Sequence, residues 1–265
     1  MATMGTPPAY TIDALGRGLQ VLALFTQDTP TLSQAEIVER LGFNKSMVFR
    51  ILTTLESLGY LERHPQTKRY RPGLKVLQLG FTALNNMEVR QVAKLHLERL
   101  AQSTDETASL AVLDGLHIVY IDRMRNRAIV GVLLGVGSRI AAHSTSLGKV
   151  LLANLSTETL NALLDRATLD AFTPHTIVDR MALLEELATI RAQGYAISDE
   201  ELAIGLRGVS APIRDHTQRA VAAINVSGPV NTISRERLEQ QIRPAVVETA
   251  HQISLALGYV PRGNI

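Results

Sequence analysis

Apolar residues recur at helical spacing in three short stretches near the N-terminus of the chain. These stretches are residues 12–27, 33–41 and 44–57. In the third stretch, Val48, Ile51, Leu52 and Leu55 share one face, so we expect that face to be buried and the opposite, more polar face to stay in solvent. The pattern therefore predicts three amphipathic helices.

Local signals mark where the second and third helices begin and end. Ser33 and Glu36 have the spacing of a capping box, in which each side chain bonds the other residue's backbone N–H. Gly42 can adopt the left-handed conformation that ends a helix, and Asn44 can cap the helix that follows. The short connection between the two helices predicts a helix-turn-helix.

A β-hairpin is predicted directly after the third helix. Residues 60–63 and 68–71 are short strand-like stretches, and the segment between them, His64-Pro65-Gln66-Thr67, has the composition of a turn. A helix-turn-helix followed by such a hairpin is a winged helix, whose second helix enters the major groove of DNA. We therefore predict a winged helix-turn-helix DNA-binding domain at residues 12–72.

The charge distribution supports double-stranded operator DNA as the partner of this domain. Residues 45–71 contain six Lys and Arg and two acidic residues, a net charge of +4, whereas the whole chain carries only +2. Basic charge collected on one surface is what phosphate binding requires. The predicted DNA-binding residues are Ser33, Lys45, Ser46, Met47, Phe49, Arg50, Arg63, Lys68 and Arg69.

The rest of the chain has a different pattern. Residues 73–86 predict a linker helix and residues 87–104 another helix, after which stretches rich in Val, Ile and Leu alternate with helical stretches. The dipeptide Asp114-Gly115 is a hairpin signal, and Pro244 should interrupt the last helix. The predicted strands are residues 109–113, 117–123, 128–134, 195–198, 208–213 and 220–226, and the predicted helices are residues 146–154, 157–166, 179–193 and 234–257.

Helices interleaved with an antiparallel sheet indicate an α+β domain, which we place at residues 87–262. The first residues of this chain lack the features of a signal peptide, and the longest apolar stretch is too short to cross a bilayer. We therefore expect a cytoplasmic protein without a membrane partner. The chain has no Cys, and its seven His residues do not have metal-ligand spacing, so no metal or cofactor is predicted.

Two short motifs raise the alternative of an enzyme. Ser146 and Lys149 match the S-x-x-K nucleophile motif, but the Ser-Asp-Asn and Lys-Thr-Gly motifs that accompany it are missing. Gly135 and Gly137 begin a dinucleotide-binding fingerprint that lacks its third glycine. Both matches are short enough to arise by chance, so we do not predict an enzyme.

Several stretches of the chain resemble the IclR-type transcriptional regulators over roughly residues 12–258. In the first half, the stretches are Arg17-Gly-Leu-Gln-Val-Leu, Ala35-Glu36-Ile37, Lys45-Ser46-x-Val48-x-Arg50-x-Leu52 and Leu58-Gly-Tyr-Leu-Glu-Arg63. In the second half, they are residues 143–153, Gly194-Tyr-Ala-Ile-Ser-Asp-Glu-Glu201 with residues 205–213, and Ala223-Ile-Asn-Val-Ser-Gly-Pro229.

The resemblance implies a winged helix-turn-helix joined to a GAF-like effector-binding domain, and it implies that Arg17 contacts DNA. It also implies homodimers through the N-terminal half and a dimer of dimers, a homotetramer, through the effector domains. The effector site would lie between the sheet and the helix that starts near Ser146. The predicted effector-binding residues are Met124, His143, Ser144, Ser146, Leu147, Gly148, Ser198, Leu206, Gly208, Asn225 and Ser227.

The identity of the effector is left with alternatives. Family members that bind 2-oxo acids such as glyoxylate or pyruvate carry an acidic residue where this chain has Ser198, and a Cys where it has Gly208. The smaller residues leave more room, which favours a larger organic acid, an aromatic carboxylate from a catabolic pathway such as hydroxybenzoate. A 2-oxo acid, or a second domain that serves only oligomerisation, are the alternatives.

Overall fold

The computed structural model describes residues 10–26, 28–124, 134–165 and 167–261 of the 265-residue chain. The chain divides between Asn86 and Met87 into two compact units. The first unit contains helices α1 to α4 and strands β1 and β2, and the second contains the remaining helices and a six-stranded sheet.

The first unit is a winged helix. Its elements are α1 (Asp13–Ala23), α2 (Gln34–Leu41), α3 (Lys45–Ser57), β1 (Leu61–Arg63), β2 (Tyr70–Pro72) and α4 (Leu74–Asn85). The predicted helix-turn-helix and hairpin are thus confirmed, although the first helix is shorter than predicted and ends at Ala23. The core between the helices and the hairpin consists of Val21, Leu32, Ile37, Val48, Leu52, Leu61 and Tyr70.

Helix α4 differs from the other helices of this unit because none of its residues is buried. Four of its large apolar side chains, Leu74, Leu77, Leu79 and Phe81, are more than half exposed. An apolar helix without a covering surface in one copy of the chain is typical of a face that another copy covers.

The second unit is an α+β domain built on one antiparallel sheet. Its elements are α5 (Glu88–Thr104), β3 (Thr107–Asp114), β4 (His117–Met124), β5 (Arg139–Ala141), a 3₁₀ turn (Ala142–Ser144), α6 (Ser146–Ala153), α7 (Thr157–Leu164), α8 (Arg180–Gln193), β6 (Ala196–Asp199), β7 (Leu206–Arg214), β8 (Ala220–Pro229), α9 (Arg235–Arg237), a π-helical turn (Leu238–Ile242) and α10 (Arg243–Ala256). The strand order is β5-β4-β3-β8-β7-β6.

Helices cover both faces of this sheet. On one face, α6 packs on small residues of the central strands, among them Ala111 and Ala223, and α8 packs on α6. Neighbouring strand residues such as Leu110 and Ile224 point to the other face, along which α5 and α10 lie. The small side chains on the first face allow α6 to approach the sheet closely.

Most of the predicted elements of the second unit are present, with ends that differ by one to three residues. Asp114-Gly115 forms the predicted hairpin between β3 and β4, with Gly115 at a φ of 59°. The last helix is interrupted just before Pro244, where the π-helical turn ends. The predicted strand at residues 128–134 lies outside the described residues except for Leu134, which is irregular.

Candidate functional site

The turn between α2 and α3 has the geometry that its sequence predicts. Ser33 Oγ accepts the N–H of Glu36, and the Glu36 carboxylate accepts the N–H of Ser33, which completes the capping box. Gly42 is left-handed with a φ of 67°, and Asn44 accepts the N–H of Met47 at 2.8 Å. These caps fix where α3 begins and therefore which of its side chains face outward.

Helix α3 presents its predicted DNA-facing residues to solvent. Val48 and Leu52 are fully buried, whereas Lys45, Ser46, Phe49 and Arg50 are exposed. Phe49 is 53% exposed, and an apolar side chain on such a face suits the methyl group of thymine. The contact of these residues with base edges stays a prediction.

Arg17 on α1 lies against α3. Its Nη1 donates to the sulfur of Met47 at 3.1 Å. Its guanidinium carbon lies 5.8 Å from the centroid of the Phe43 ring. Two predicted DNA-binding residues that are thirty positions apart in sequence are thus in direct contact beside the recognition helix.

The hairpin, or wing, brings further cationic side chains next to α3. One surface groove is lined by Ser33, Lys45, Arg63 and Lys68, together with parts of α2. Three of these four residues are basic, and they come from the start of α3 and from the wing. The groove therefore collects positive charge where a phosphate backbone would pass.

Lys68 and Arg69 differ in their environments although they are neighbours. Lys68 is exposed at the end of the turn, with a φ of 59°. Arg69 donates to the side chain and carbonyl of Thr31 and to Glu36 at 3.0 Å. The expected phosphate contact of Arg69 would thus compete with three internal hydrogen bonds, which tie the wing to α2.

The same contacts act on Glu36. Hydrogen bonds from Ser33 and Arg69 lower the pKa of Glu36 to about 2, so the carboxylate remains charged and keeps both the cap and the wing contact at neutral pH. Ser33, which we predicted to bind DNA, thus has a structural role as the cap of α2.

This difference gives a matched pair of variants. We expect Lys68→Ala to weaken binding to all DNA sequences alike and to reduce the slope of log Kd against log salt by roughly one unit. Arg69→Ala should change the slope by less and lower the melting temperature of the first unit, because it removes the contacts with Thr31 and Glu36. Salt titrations followed by fluorescence anisotropy measure both effects. An unchanged slope in Lys68→Ala would show that the wing does not reach phosphate.

The second candidate site is a cavity between α6 and the sheet. It lies over the ends of β4, β6, β7 and β8. The lining residues are Tyr120, Arg123, Leu134, Thr145, Ser146, Ser198, Leu202, Leu206, Arg207, Gly208, Asn225 and Ser227. It thus brings together most of the predicted effector-binding residues from β6, β7 and β8 with Ser146.

The strand register explains why these residues meet. Ser198 pairs with Gly208, and Gly208 pairs with Ser227, so the three form one row across β6, β7 and β8. Asn225 lies in the next row, between Ser210 and Ser109. Residues opposite each other on neighbouring strands share a face, and here that face carries α6. The row of small and polar side chains forms the floor of the cavity.

A buried polar atom on this floor, the Oδ1 of Asn225, has no hydrogen-bond partner within the described part of the chain. The Oγ of Ser109, which pairs with Asn225 on the neighbouring strand, also has none there. The two residues are only 5% and 1% exposed. A buried polar atom without a partner costs free energy, so such an atom on a cavity floor indicates a place where a ligand supplies the missing bond.

A β-bulge adds two residues that the sequence did not reveal as cavity residues. Leu110 pairs with Asp122, but Ala111 pairs with Tyr120, so Ile121 is an extra residue in β4. Tyr120 and Arg123, three positions apart, would face opposite sides of a regular strand. The bulge turns both toward the cavity, where the Arg123 guanidinium lies 5.7 Å from the centre of the Tyr120 ring. Burial raises the pKa of Tyr120 to about 12, so its hydroxyl stays protonated.

The start of α6 is capped by Thr145. Its Oγ1 accepts the N–H of Gly148 at 3.0 Å. The N–H of Gly148, which we predicted to bind the effector, is therefore engaged in the cap. The first two N–H groups of the helix, from Ser146 and Leu147, have no partner within the helix. The hydroxyl of Ser146 accepts a hydrogen bond from the hydroxyl of Ser210 at 2.7 Å.

Other predicted effector-binding residues do not line the cavity. Nε2 of His143 is 2.9 Å from the carbonyl oxygen of Asp170, as expected for a satisfied interior His. Ser144 donates its hydroxyl to the carbonyl of Ala141, and the side chain of Leu147 is buried in the apolar core. Met124 is half-buried at the end of β4. Thr145, Leu202 and Arg207 line the cavity instead, although the sequence analysis did not select them.

The free volume of the cavity is about 30 Å³, far below the roughly 300–1,000 Å³ of typical small-molecule sites. A side chain at Gly208 would also meet Ser227, since a Cβ there would lie 3.0 Å from the Cβ of Ser227. The extra room expected from Ser198 and Gly208 is therefore not open in this conformation. Any organic acid must displace lining side chains to enter.

Lys149, the second residue of the S-x-x-K motif, is only 1% exposed and is paired with two carboxylates. Its Nζ lies 2.7 Å from Glu201 and 3.2 Å from Glu186. Burial raises the pKa of Glu201, and Lys149 opposes that shift. Lys149 therefore holds the β6–β7 loop to α6 instead of activating a nucleophile. Within the described residues, no cluster of three His, Cys, Asp or Glu side chains could hold a metal.

Known families match both units of the chain. A family model described as the IclR helix-turn-helix domain matches residues 14–65, and a second, described as the bacterial transcriptional regulator IclR C-terminal, matches residues 81–255. Together they cover most of the chain. None of the helices in the described ranges is long and apolar enough to span a membrane.

Curated relatives agree with these models along nearly the whole chain. The HTH-type transcriptional regulator XynR of Escherichia coli is 34% identical over 94% of this chain and 98% of its own length. The Pca regulon regulatory protein of Pseudomonas putida is 35% identical over 95% of this chain and 86% of its own. Both are regulators and neither name describes an enzyme.

Solved structures share the fold. The IclR of Thermotoga maritima superposes with a TM-score of 0.71 at 32% identity, over 94% of this chain and all of that one. An IclR homologue from Microbacterium hydrocarbonoxydans, solved in complex with 4-hydroxybenzoate, has a TM-score of 0.78 at 26% identity over 92% of this chain and 99% of its own. The chain belongs to the IclR family of bacterial transcriptional regulators, with an N-terminal helix-turn-helix and a C-terminal α+β domain.

Proposed function

We propose that this regulator binds a small organic acid in the cavity between α6 and the sheet, and that this binding changes its affinity for operator DNA. The observation that carries the proposal is the cavity floor, where the buried Oδ1 of Asn225 has no hydrogen-bond partner among the described residues. Structural polar groups of a packed core are normally satisfied, whereas groups that serve a ligand are satisfied only when it is bound.

An acid is the ligand class that fits the α6 end of this cavity. Thr145 and Ser146 line it at the first turn of the helix, where backbone N–H groups and the helix dipole favour a negative charge by about 0.3–1 kcal/mol. A carboxylate there would accept from the N–H groups of Ser146 and Leu147. The N–H of Gly148 is already bonded to the Thr145 hydroxyl that caps the helix, so Gly148 contributes to the site only through close packing.

An aromatic carboxylate such as a hydroxybenzoate is the proposed effector. The complex of the Microbacterium homologue with 4-hydroxybenzoate supports it. The small cavity volume is the argument for the alternative, a 2-oxo acid such as glyoxylate or pyruvate. For the aromatic ligand, Leu202 and Leu206 are the side chains to be displaced, because both line the cavity and are half-buried.

The effector site is tested by filling it. Gly208→Leu places a branched side chain against Ser227 and into the cavity, so we expect it to weaken binding of 4-hydroxybenzoate at least tenfold and to leave DNA binding intact. Gly208→Ala is the graded control, because its single Cβ would lie 3.0 Å from the Cβ of Ser227 and from the carbonyl oxygen of Val226 and does not extend into the cavity as Leu does. Isothermal titration with 4-hydroxybenzoate, glyoxylate and pyruvate measures the effect. Undiminished acid binding in Gly208→Leu would place the site elsewhere.

We propose that the chain assembles as a homodimer through the first unit and as a dimer of dimers through the second. One winged helix makes few phosphate contacts, whereas a dimer places two recognition helices in successive major grooves. The exposed apolar side chains of α4 supply a face for a second copy. A regulator that binds operator DNA in a bacterium works in the cytoplasm, which is the location we propose.

A further inference from the structure

The loop between β6 and β7, residues 200–205, supplies part of the wall of the cavity. Leu202 in this loop and Leu206 directly after it line the cavity and are half-buried. Leu202 also packs against the apolar core beside α6. Because only about 30 Å³ is free, an organic acid enters by displacing side chains such as these, and Leu202 can leave the cavity together with its loop.

This loop is bonded to itself and can move as one piece. The N–H of Glu200 donates to the carbonyl of Leu206 at 2.8 Å, and the Glu200 carboxylate accepts the N–H of Gly205 at 2.7 Å. Glu200 and Gly205 are both left-handed, with φ of 63° and 81°, a conformation that is unfavourable for a residue with a Cβ such as Glu200. Hinges are a few residues at the ends of an element or loop that absorb changes of φ and ψ, and these two positions suit that role.

Three side chains fasten the loop to the rest of the second unit. The hydroxyls of Thr173 and Thr176 donate to the carbonyls of Glu200 and Glu201, at 2.7 and 2.6 Å. The Nζ of Lys149 lies 2.7 Å from the Glu201 carboxylate. Water can replace a hydroxyl at a carbonyl when the loop moves, whereas the ammonium of Lys149 is only 1% exposed and requires a charged partner. The ion pair is therefore the contact that decides what movement of the loop costs.

Lys149 has a second carboxylate that does not belong to the loop. Glu186 on α8 lies 3.2 Å from its Nζ and is 34% exposed, so it still balances Lys149 when Glu201 leaves. Burial raises the pKa of Glu201, which shows that the closed position opposes its charge and depends on Lys149. The Oε2 of Glu201 also has no hydrogen-bond partner among the described residues. The loop can thus open without leaving a buried charge unpaired.

We propose that residues 200–205 form a lid over the effector cavity and that Lys149 is its latch. Lys149 binds Glu201 and Glu186 when the lid is closed, and Glu186 alone when it is open. The latch joins the lid to α6, whose first turn lines the same cavity. This inference rests on the proposed function and explains how access to the site is regulated.

Two substitutions at the latch should act in opposite directions. Lys149→Met leaves Glu201 without its counter-charge in the closed lid, so amide exchange of residues 200–206 should rise by at least roughly tenfold. Glu186→Gln removes the partner that holds Lys149 when the lid is open, so the same exchange should slow by about two- to fivefold. Hydrogen–deuterium exchange followed by mass spectrometry measures both. Glu185→Gln is the matched control, because Glu185 is the exposed neighbour of Glu186 on α8.

A double variant separates a latch from a residue that only supports the fold. Adding Glu201→Gln to Lys149→Met removes the unpaired buried charge, so exchange of residues 200–206 should return to within about threefold of wild type. Failure of this rescue, or a rise in Lys149→Met that extends equally to α6 and the central strands, would overturn the latch. Faster exchange of the loop in Glu186→Gln would overturn it independently.

Ligand affinity tests whether the loop is a lid of the effector site. A ligand that needs the open lid binds in proportion to the open fraction. Calorimetry with 4-hydroxybenzoate, glyoxylate and pyruvate should therefore show tighter binding to Lys149→Met and weaker binding to Glu186→Gln than to wild type. Opposite changes in exchange with unchanged affinity would show that the loop does not gate the site, and the proposed function would stand. If none of these acids binds to wild type or to Lys149→Met, the proposed function itself is wrong.

Discussion

Replacing Leu77 and Phe81 with Ser is expected to remove the contact that we propose between first units and to weaken operator binding by at least a hundredfold. The proposed dimer of dimers should then dissociate into dimers that are joined by the second units. These side chains are 53% and 58% exposed in one copy of the chain. Burying a large apolar side chain contributes about 1.5–3 kcal/mol, and a symmetric dimer buries each of them twice. Without the dimer, one recognition helix must bind alone and the contacts of the second half-site are lost.

Sedimentation velocity measures the association, and fluorescence anisotropy measures the affinity for DNA. Gln78→Ser is the matched control, because Gln78 lies between the two replaced residues on the same exposed helix. A wild-type chain that stays monomeric at micromolar concentration with and without DNA would contradict the assembly. A double variant that keeps the same number of copies as wild type would move the interface away from α4.

Gly148→Ala should destabilise the second unit. Among the helical glycines in the described part of the chain, Gly148 is the one at which an added Cβ meets the closest atoms, so we expect this Gly→Ala change to have the largest effect. A Cβ at Gly148 would lie 2.1 Å from the carbonyl oxygen of Ala142 and 2.3 Å from its Cα. These are backbone atoms of the 3₁₀ turn that precedes α6, so no side chain can rotate away. Overpacking of this kind typically costs about 1–3 kcal/mol, occasionally more.

Differential scanning calorimetry of the full chain gives the effect on each unit. We expect the transition of the second unit to fall by roughly 3–10 °C, from about 2–4 °C per kcal/mol for a unit of this size. Gly80→Ala on α4 is the control, because nothing lies within 4 Å of its added Cβ. That change should leave the melting temperature unchanged or raise it slightly. An unaltered second transition in Gly148→Ala would show that α6 can move away from the 3₁₀ turn.

The first unit could be predicted almost completely because its signals are local. The capping box of Ser33 and Glu36, the left-handed Gly42 and the cap of Asn44 each act within four residues, and each is present. The sequence did not reveal the internal contacts of Arg69, whose partner Thr31 lies thirty-eight positions away. Local sequence cannot show that such a side chain is already engaged.

The candidate effector cavity was predicted only in part, because it is made by pairing between distant strands. Ser198, Gly208 and Ser227 were found through motif resemblance, and the register that aligns them follows from the sheet. Arg123 was missed because the alternation of a regular strand gives no sign of the bulge at Ile121. Thr145, not the neighbouring Ser146, caps α6, a choice that depends on the conformation of the 3₁₀ turn before it.

The central claim is that the effector cavity controls DNA binding, and one titration tests it most directly. Operator DNA selected with the purified protein is titrated by fluorescence anisotropy with and without saturating 4-hydroxybenzoate, for wild type and for Gly208→Leu. The account predicts that the acid changes the Kd of wild type in one direction by about 5- to 150-fold, the usual range of allosteric coupling, and leaves that of Gly208→Leu unchanged. Equal Kd values for wild type with and without an acid that calorimetry shows to be bound would contradict it.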